Sequence, residues 1–423
     1  MPDRSRKLPP LLVAGAILAL GLVVILIIPW DRDEPAGLLP DSRLSDLGEK
    51  PDWPVLQRYH GVLTRAEFEQ SLREVYVLGD DWHCTITDEA VTIHSDLQPG
   101  GQVIRFATPD ARKSPPRYWR PVSELQPAPE GRPLAGLRIA IDPGHLGGTW
   151  AKMEERWYQL GDTLPVTEGD MTMITAKKLK PRLEGLGATV TLVRNDTEPV
   201  TSKRPVDFAN YAARKVPGAP DDEVRKLAER LFYRTAEIRA RAKLVNEEIQ
   251  PDLILCLHFN AEAWGGDPDN PELTHRNHFH LILHGAYMDE EIAHEDERFE
   301  MMHKVFQGVH GEEAAIAAEL VKSFARETML PAYLYALGKP TIRIGPALWA
   351  RNLLANRLYQ CPVLFFEPYV MNSEVVHARV QAGDYDGERE VANRFRKSLY
   401  REYVDAVVDG LVNYYEPRRK SGP

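Results

Sequence analysis

The sequence has 423 residues, of which 43% are hydrophobic and 27% are charged. This balance is typical of globular proteins and excludes bulk disorder, and the length leaves room for more than one domain. The formal net charge of −10 argues against a nucleic-acid partner, because such a partner requires a basic face. Cys84, Cys256 and Cys361 are widely spaced and are predicted to be buried free thiols, with a Cys256–Cys361 disulfide left open.

The first feature along the chain is an uncharged apolar stretch at residues 11–28. As a helix it would be roughly 27 Å long, close to the thickness of the hydrocarbon core of a bilayer. We therefore predict a transmembrane anchor at 11–30 that follows a cytoplasmic tail at 1–10. Basic residues precede it and acidic residues follow it, which predicts a single-pass inner-membrane protein with the remainder of the chain on the periplasmic side. The alternative is a cleaved signal peptide, but no small-x-small cleavage site follows Ile28.

Three further segments precede the main domain. Residues 31–52 are polar and rich in Pro, Gly and Asp, which is typical of a linker. Residues 53–112 are predicted to form a small α+β domain, because a capping box, TRAE, opens a helical pattern and short alternating runs follow it. No functional site is recognised in this domain, and its role is left open. A proline-rich linker at 113–133 separates it from the main domain at 134–418.

Apolar strands alternate with helical patterns throughout the main domain. This alternation predicts an α/β fold, in which a mainly parallel twisted sheet carries helices on both faces. The predicted strands are 138–141, 189–193, 253–258, 278–283 and 362–366. The predicted helices are 170–186, 223–249, 312–328 and 389–415. Pro181 lies inside the first helix and is expected to kink it or end it early.

The segment 137–149, LRIAIDPGHLGGT, contains the first of these strands and its exit. Pro143 removes a backbone hydrogen-bond donor and Gly144 permits a positive φ, so the chain must turn sharply there. His145 is thereby delivered to the carboxyl end of a strand, which is where open α/β sheets bind their ligands.

Three more polar side chains occupy comparable positions. Glu168 opens the first helix, where free N–H groups and the helix dipole favour a carboxylate. His258 and Asn260 close one hydrophobic strand, and Glu367 ends another. A buried carboxylate is costly when unpaired, so Glu367 is expected to be paired, exposed or bound to a cation. Two histidines and a carboxylate form a donor set of catalytic zinc sites, which keep one position open.

Other histidines and acids are weaker candidates for metal ligands. His278 and His280 share one face of a predicted strand, and they fit a solvated strand edge as well as a metal site. Residues 285–310 are acidic and are predicted to form a surface excursion, which contains His294, His303 and His310. Glu154 and Glu155 are nearer to the first histidine than Glu168 is, but they do not begin a helix.

Together these segments resemble the zinc-dependent N-acetylmuramoyl-L-alanine amidase family, which cleaves peptidoglycan, over residues 134–415. The strand exit of that family, I-x-I-D-P-G-H-G-G, is matched by IAIDPGHLGG, and its later strands are matched by GATVTLVR, PDLILCLHFN and CPVLFFEPYVMN. The glutamate that precedes its first helix is matched in VTEGDMTMITAKKL. The resemblance implies that His145, Glu168 and His258 bind Zn²⁺ and that Glu367 is the catalytic glutamate.

One part of this resemblance leaves two alignments open. The family has an arginine and an asparagine ahead of the strand that carries the second histidine. Two pairs in this chain fit that pattern, Arg241 with Asn246 and Arg204 with Asn210. Phe259 stands where the family usually has a small residue, which leaves substrate preference open.

The implied reaction is zinc-dependent hydrolysis of the amide bond between N-acetylmuramic acid and L-alanine, with Glu367 as general base and then general acid. The implied partners are peptidoglycan and, through the N-terminal helix, the membrane; an activator protein is left unidentified. Two alternatives stay open. One is a catalytically silent wall-binding or regulatory protein on an amidase scaffold, and the other is a zinc peptidase that acts on stem peptides.

Overall fold

A seven-stranded sheet lies at the centre of the structure. The computed structural model describes residues 39–108, 110–264 and 272–420. In chain order the strands of the central sheet are β1 Arg138–Pro143, β2 Thr189–Leu192, β3 Leu253–Leu257, β4 Phe279–His284, β5 Ile342–Gly345, β6 Leu348–Arg351 and β7 Val363–Pro368. Their order across the sheet is β5-β6-β4-β7-β3-β1-β2.

The direction of the strands brings three carboxyl ends together. Strands β7, β3, β1 and β2 run parallel, whereas β4 and β6 run in the opposite direction. The predicted α/β fold with a mainly parallel sheet is thus confirmed. Every residue of β3, LILCL, is buried, as a strand covered on both faces requires. Leu257 at its end pairs with Pro143 of β1 and with Phe366 of β7, so these three strands end at one edge.

Helices cover both faces of the central sheet. One face packs against Glu168–Gly185, Val309–Thr328 and Leu399–Arg418 in a large apolar cluster. The opposite face packs against the helical run 237–249 and the short helix Leu354–Leu358. The core is therefore arranged in layers around the sheet, as the predicted fold class requires.

The other elements are shorter. The remaining α-helices are Arg65–Ser71, Ala209–Lys215, Asp221–Arg230, Glu237–Lys243, Asp289–Ile292, Glu295–Gln307 and Glu374–Gln381. The π-helical segments are Leu72–Tyr76, Leu231–Ala236 and Leu244–Ile249, and the 3₁₀ turns are Trp53–Tyr59, Val122–Glu124, Gly148–Trp150 and Pro205–Phe208. Outside the central sheet, Cys84–Ile86, Ala90–Ile93 and Gln102–Arg105 form one antiparallel sheet, and two pairs stand apart: Trp157–Tyr158 with Val166–Thr167, and Glu388–Val391 with Arg394–Lys397.

The last predicted helix, 389–415, begins later than expected. Its first residues form a hairpin that turns at Ala392 and Asn393, both of which have a positive φ (51° and 59°). Two-residue hairpin turns need this backbone conformation, and a helix does not tolerate it. The helix itself is Leu399–Arg418. Pro181, expected to end the first sheet helix early, lies in its last turns, and the helix continues to Gly185.

The predicted membrane anchor requires a correction. The segment 11–30 lies outside the described residues. Within the part of the chain that the structure describes, no helix is both long enough and apolar enough to cross a membrane. The longest helices there, Val309–Thr328 and Leu399–Arg418, have 20 residues each, but both carry several charged side chains, which a bilayer core excludes. The predictions of a transmembrane helix and of a single-pass inner-membrane location are therefore not supported.

The acidic segment 285–310 is not the surface excursion that its composition predicts. Its helix Glu295–Gln307 is largely buried and shares an apolar cluster with residues 53–106. Its acids are paired: Glu295 accepts a hydrogen bond from the Trp53 indole at 2.9 Å, and Glu297 forms an ion pair with Arg357 at 2.6 Å. The domain boundaries at 53–112 and 113–133 stay a prediction.

One acid of this buried helix gives a test of the packing. Burial raises the pKa of Glu300 to about 7, although Arg357 at 2.6 Å and Arg239 oppose the shift. The folded protein therefore holds this proton at pH values where the unfolded chain has released it, so the wild type loses stability as pH rises between about 4.5 and 7. The variant Glu300→Gln has no titrating group at this position, so its stability does not fall in this way as pH rises.

We expect the difference in the free energy of unfolding, Glu300→Gln minus wild type, to rise by roughly 3 kcal/mol between pH 4 and pH 8. Urea denaturation at a series of pH values measures this difference. The attraction between Arg357 and the ionised Glu300 is already included in the pKa of about 7, so only the contacts of the neutral carboxyl group add an offset that does not depend on pH. A difference that stays flat with pH would contradict the buried placement of Glu300.

Candidate metal centre

The turn that follows β1 is held by two buried arginines. The Arg194 guanidinium donates to the carbonyl oxygens of Pro143, at 2.8 Å, and of His145. Arg241 donates to the Pro143 carbonyl at 3.1 Å and to the Asp142 carboxylate at 3.0 Å. His145 itself has a φ of 56°, a conformation that a residue with a side chain adopts only when its surroundings impose it. These contacts fix the direction in which His145 leaves the sheet.

The two arginines that the sequence analysis left as alternatives lie in different places. Arg241 lies at the exit of β1, where its Nε also donates to Glu237 at 2.7 Å. Arg204 instead donates to the carbonyls of Thr201 and Lys203 on a loop. Arg241 therefore contacts the turn that carries His145, and the choice between the two alignments stays a prediction.

Glu168 lies between the two histidines. Its carboxylate is 3.3 Å from His145 Nε2 and 3.0 Å from His258 Nδ1, and it accepts a hydrogen bond from the Phe259 backbone N–H at 3.1 Å. Only 2% of its surface is exposed. Burial by itself raises the pKa of Glu168, but the two histidines and Arg156 outweigh it and lower the pKa to about 2. Glu168 is therefore held as an anion at neutral pH.

His258 follows the last residue of β3 and packs closely on its neighbours. Its ring stacks on Phe365 of β7 with a centroid distance of 4.2 Å. On its other flank lies Gly144, where a Cβ atom would be only 2.2 Å from the imidazole. Glycine is required at this position because the backbone of the strand exit passes directly against the ring.

Three predicted ligands therefore come together. The donor atoms of His145, Glu168 and His258 all lie within 4.8 Å of one another. Glu168 faces the two histidines with different oxygens: Oε2 lies 3.3 Å from His145 Nε2, and Oε1 lies 3.0 Å from His258 Nδ1. Two imidazole nitrogens and a carboxylate at these distances form a group that could hold one metal ion.

Glu154, considered from the sequence as another metal ligand, lies behind His145. Its carboxylate is 3.5 Å from His145 Nδ1, the ring nitrogen opposite the one that faces Glu168, and it accepts hydrogen bonds from the N–H groups of Leu146 and Gly147. A carboxylate behind a ligating histidine sets its tautomer and ring orientation. The arrangement suits a supporting role for Glu154.

Glu367 lies near the end of β7, directly opposite His280 of the antiparallel neighbour β4. It lines a cavity of about 300 Å³ together with Arg156 and Arg351. Burial and the negative charge of Glu168 raise the pKa of Glu367 to about 8. A carboxyl group with such a pKa can both accept and donate a proton near neutral pH.

The other candidate histidines have different partners. His278 contacts Glu262 at 2.8 Å, and His280 contacts the Tyr335 hydroxyl at 3.1 Å. His303 contacts Arg58 at 2.8 Å. Across residues 39–108, 110–264 and 272–420, the only group of three or more candidate ligands is the one at His145.

Sequence reasoning missed two arginines at this site. Arg156 reaches to 3.2 Å from the Glu168 carboxylate, and Arg194 holds the turn at His145. Arg156 follows the acidic pair considered as ligands, and Arg194 follows a predicted strand. Arg194 closes the segment GATVTLVR, but the family resemblance gave that arginine no role, and no motif marks Arg156.

Comparison with known proteins gives structural neighbours alone. No protein-family model and no curated protein matches the chain. It is similar to the solved structure of the N-acetylmuramyl-L-alanine amidase Ami1 of Mycobacterium smegmatis, with 15% identity over 67% of this chain and 99% of that chain and a TM-score of 0.38. It is also similar to the N-acetylmuramoyl-L-alanine amidase AmiC2 of Nostoc punctiforme, with 14% identity, coverage of 66% and 98% and a TM-score of 0.34.

A further neighbour is the CwlD amidase of Clostridioides difficile, solved in complex with the GerS lipoprotein, with 12% identity, coverage of 65% and 96% and a TM-score of 0.34. These neighbours are amidases of the kind that the sequence motifs resemble.

The close contact at Gly144 provides a test of the metal centre. The variant Gly144→Ala places a methyl group 2.2 Å from the His258 ring. Because this distance is too short for a contact, the ring must shift from its position beside Glu168. We expect the affinity for Zn²⁺ to fall roughly tenfold to a hundredfold, the usual effect of disturbing the support of a ligand. Competition with a chromogenic chelator measures the affinity.

The matched control is Gly185→Ala, because a Cβ atom at Gly185 meets nothing within 4 Å. It is expected to keep the wild-type affinity. Equal Zn²⁺ affinity in the wild type and in Gly144→Ala would contradict the placement of His258 at the metal centre.

Proposed function

We propose that this protein is a zinc-dependent amidase that hydrolyses the amide bond between N-acetylmuramic acid and L-alanine in peptidoglycan. The observation that carries the proposal is the meeting of three side chains: His145 and His258 at the ends of the adjacent strands β1 and β3, and Glu168 at the start of a helix. Glu367 lies near the end of the next strand, β7. The motifs that carry these residues support the choice of bond, because they resemble those of the amidase family.

The donor set supports zinc as the metal. Two imidazole nitrogens and one carboxylate oxygen are ligands that zinc accepts, and three protein ligands leave a position for water or substrate. Zinc in such a site activates water and polarises a carbonyl group. His145 and His258 must be neutral to bind it, and the Glu154 carboxylate beside His145 Nδ1 favours the tautomer with its proton on that atom.

Glu367 supplies the proton transfers. In the proposed reaction it takes the proton of the attacking water and returns it to the nitrogen of L-alanine as the carbon–nitrogen bond breaks. Its partly buried position and raised pKa suit both steps. Arg156, which lines the same cavity, places a positive charge near the reacting carbonyl.

The first test concerns Glu367. The variant Glu367→Gln keeps the shape of the side chain and removes the proton acceptor. We expect release of stem peptides from purified sacculi to fall roughly a hundredfold to ten-thousandfold, with zinc content unchanged. The control is Glu390→Gln on the exposed hairpin. Full activity of Glu367→Gln would refute the assigned role.

The second test concerns the metal ligands. We expect His145→Ala to lose bound zinc, as measured by atomic emission after dialysis, because two side chains cannot hold the ion as three do. The exposed His275, which pairs with Glu374 at the surface, gives the control His275→Ala with full zinc content. Wild-type zinc content in His145→Ala would exclude His145 from the ligand set.

Mass analysis of the wild-type products separates the proposal from its alternatives. An amidase yields glycan strands with intact, peptide-free muramic acid and stem peptides that begin with L-alanine. A zinc peptidase leaves L-alanine on the glycan, and a catalytically silent binding protein yields no products. Either of the last two results would overturn the proposed function.

A further inference from the structure

The cavity beside Glu367 has a positively charged lining. Besides Glu367 it is lined by the cationic side chains of Arg156, Lys339 and Arg351. Burial lowers the pKa of His280, which also lines it, to about 3, so that histidine is neutral. The cavity thus carries more positive than negative charge at neutral pH.

Two of these cations are available to a ligand. Arg156 is engaged with Glu168 at 3.2 Å. Among the residues that the structure describes, neither Arg351 nor Lys339 has a carboxylate within the 4.0 Å of an ion pair. Arg351 is hydrogen-bonded to Tyr335 but to no carboxylate. Two cations that lack a carboxylate partner and line one cavity favour an anionic ligand, most strongly where a carboxylate can form charge-assisted hydrogen bonds.

The wall of the cavity is built by packed aromatic rings. The Tyr335 hydroxyl and His280 Nε2 form a hydrogen bond of 3.1 Å. The Tyr335 ring lies edge-on to the rings of Tyr333 and Trp349, with centroid distances of 4.9 Å and 5.2 Å. The Trp349 indole in turn donates to the Tyr333 carbonyl at 3.2 Å. These contacts connect the segment 331–341 to β4 and β6, so Lys339 and Arg351 are both held in the lining of the same cavity.

A second cavity, which also contacts Arg156, is lined by different side chains. It measures about 380 Å³ and is lined by Trp157, Tyr158 and Trp264, and also by two acids, Glu155 and Glu262. Apart from Arg156, no cation lines it within the described residues. The two cavities share only Arg156, so one has an excess of cations and the other an excess of acids.

We propose that Arg351 and Lys339 bind a free carboxylate of the stem peptide, and that the peptide leaves the scissile amide through the cationic cavity. This inference rests on the proposed function and specifies its substrate class: a peptide in which an acidic residue follows L-alanine. A stem peptide whose carboxylate is amidated would lose the charge that these two side chains recognise.

The experiment compares two soluble muropeptides that differ in one group, a free carboxylate or a carboxamide on the residue after L-alanine. We expect wild-type kcat/KM to favour the carboxylate form roughly tenfold to a hundredfold, the usual effect of a charge-assisted hydrogen bond. Arg351→Gln is expected to lose most of this preference by slowing cleavage of the carboxylate form alone. Lys339→Gln is expected to lose part of it.

The control is Arg394→Gln, because Arg394 is exposed on the hairpin strand Arg394–Lys397 and does not line the cavity. It is expected to keep the wild-type preference. If the wild type cleaves neither muropeptide, the proposed function fails. If the wild type cleaves both equally, or if Arg351→Gln and Lys339→Gln both keep the preference or slow both substrates alike, the inference is overturned while the proposed function stands.

Discussion

The buried carboxylate of Glu168 is the constraint on which the rest of the site depends. An ionised carboxylate with 2% of its surface exposed is stable only when each oxygen has a partner, and its loss of hydration otherwise costs several kcal/mol. Its partners come from the exit of β1, through His145, and from the end of β3, through His258 and the Phe259 N–H. The strands must therefore end at the same level, as the register of the sheet ensures.

The exit of β1 is the most constrained part of this arrangement. His145 has a positive φ, and Gly144 passes so close to His258 that it has no space for a side chain. Arg194 and Arg241 satisfy the carbonyl groups that this turn leaves without strand partners. The surrounding hydrogen bonds thus stabilise a backbone conformation that is unfavourable by itself, which is common where a side chain must be held for binding or chemistry.

The positions of His145, His258 and Glu367 at strand ends were predictable from the sequence, because each residue comes at or just after the end of an apolar run. Five of the seven strands of the central sheet followed from the same alternation, whereas β5 and β6 were not predicted. The pattern could not show that the acids of Glu295–Gln307 are buried, because their partners, such as Arg357, are distant in sequence. Nor could it separate the hairpin at Ala392 from a helix, since apolar spacing does not report a positive φ.

The proposed function requires that these three side chains hold one zinc ion. Anomalous diffraction from crystals of the zinc-loaded protein, recorded above and below the zinc absorption edge, locates the ion directly. We expect a single strong peak about 2.1 Å from His145 Nε2, His258 Nδ1 and an oxygen of Glu168. A peak at any other group of side chains, or no peak in protein that contains stoichiometric zinc, would contradict it.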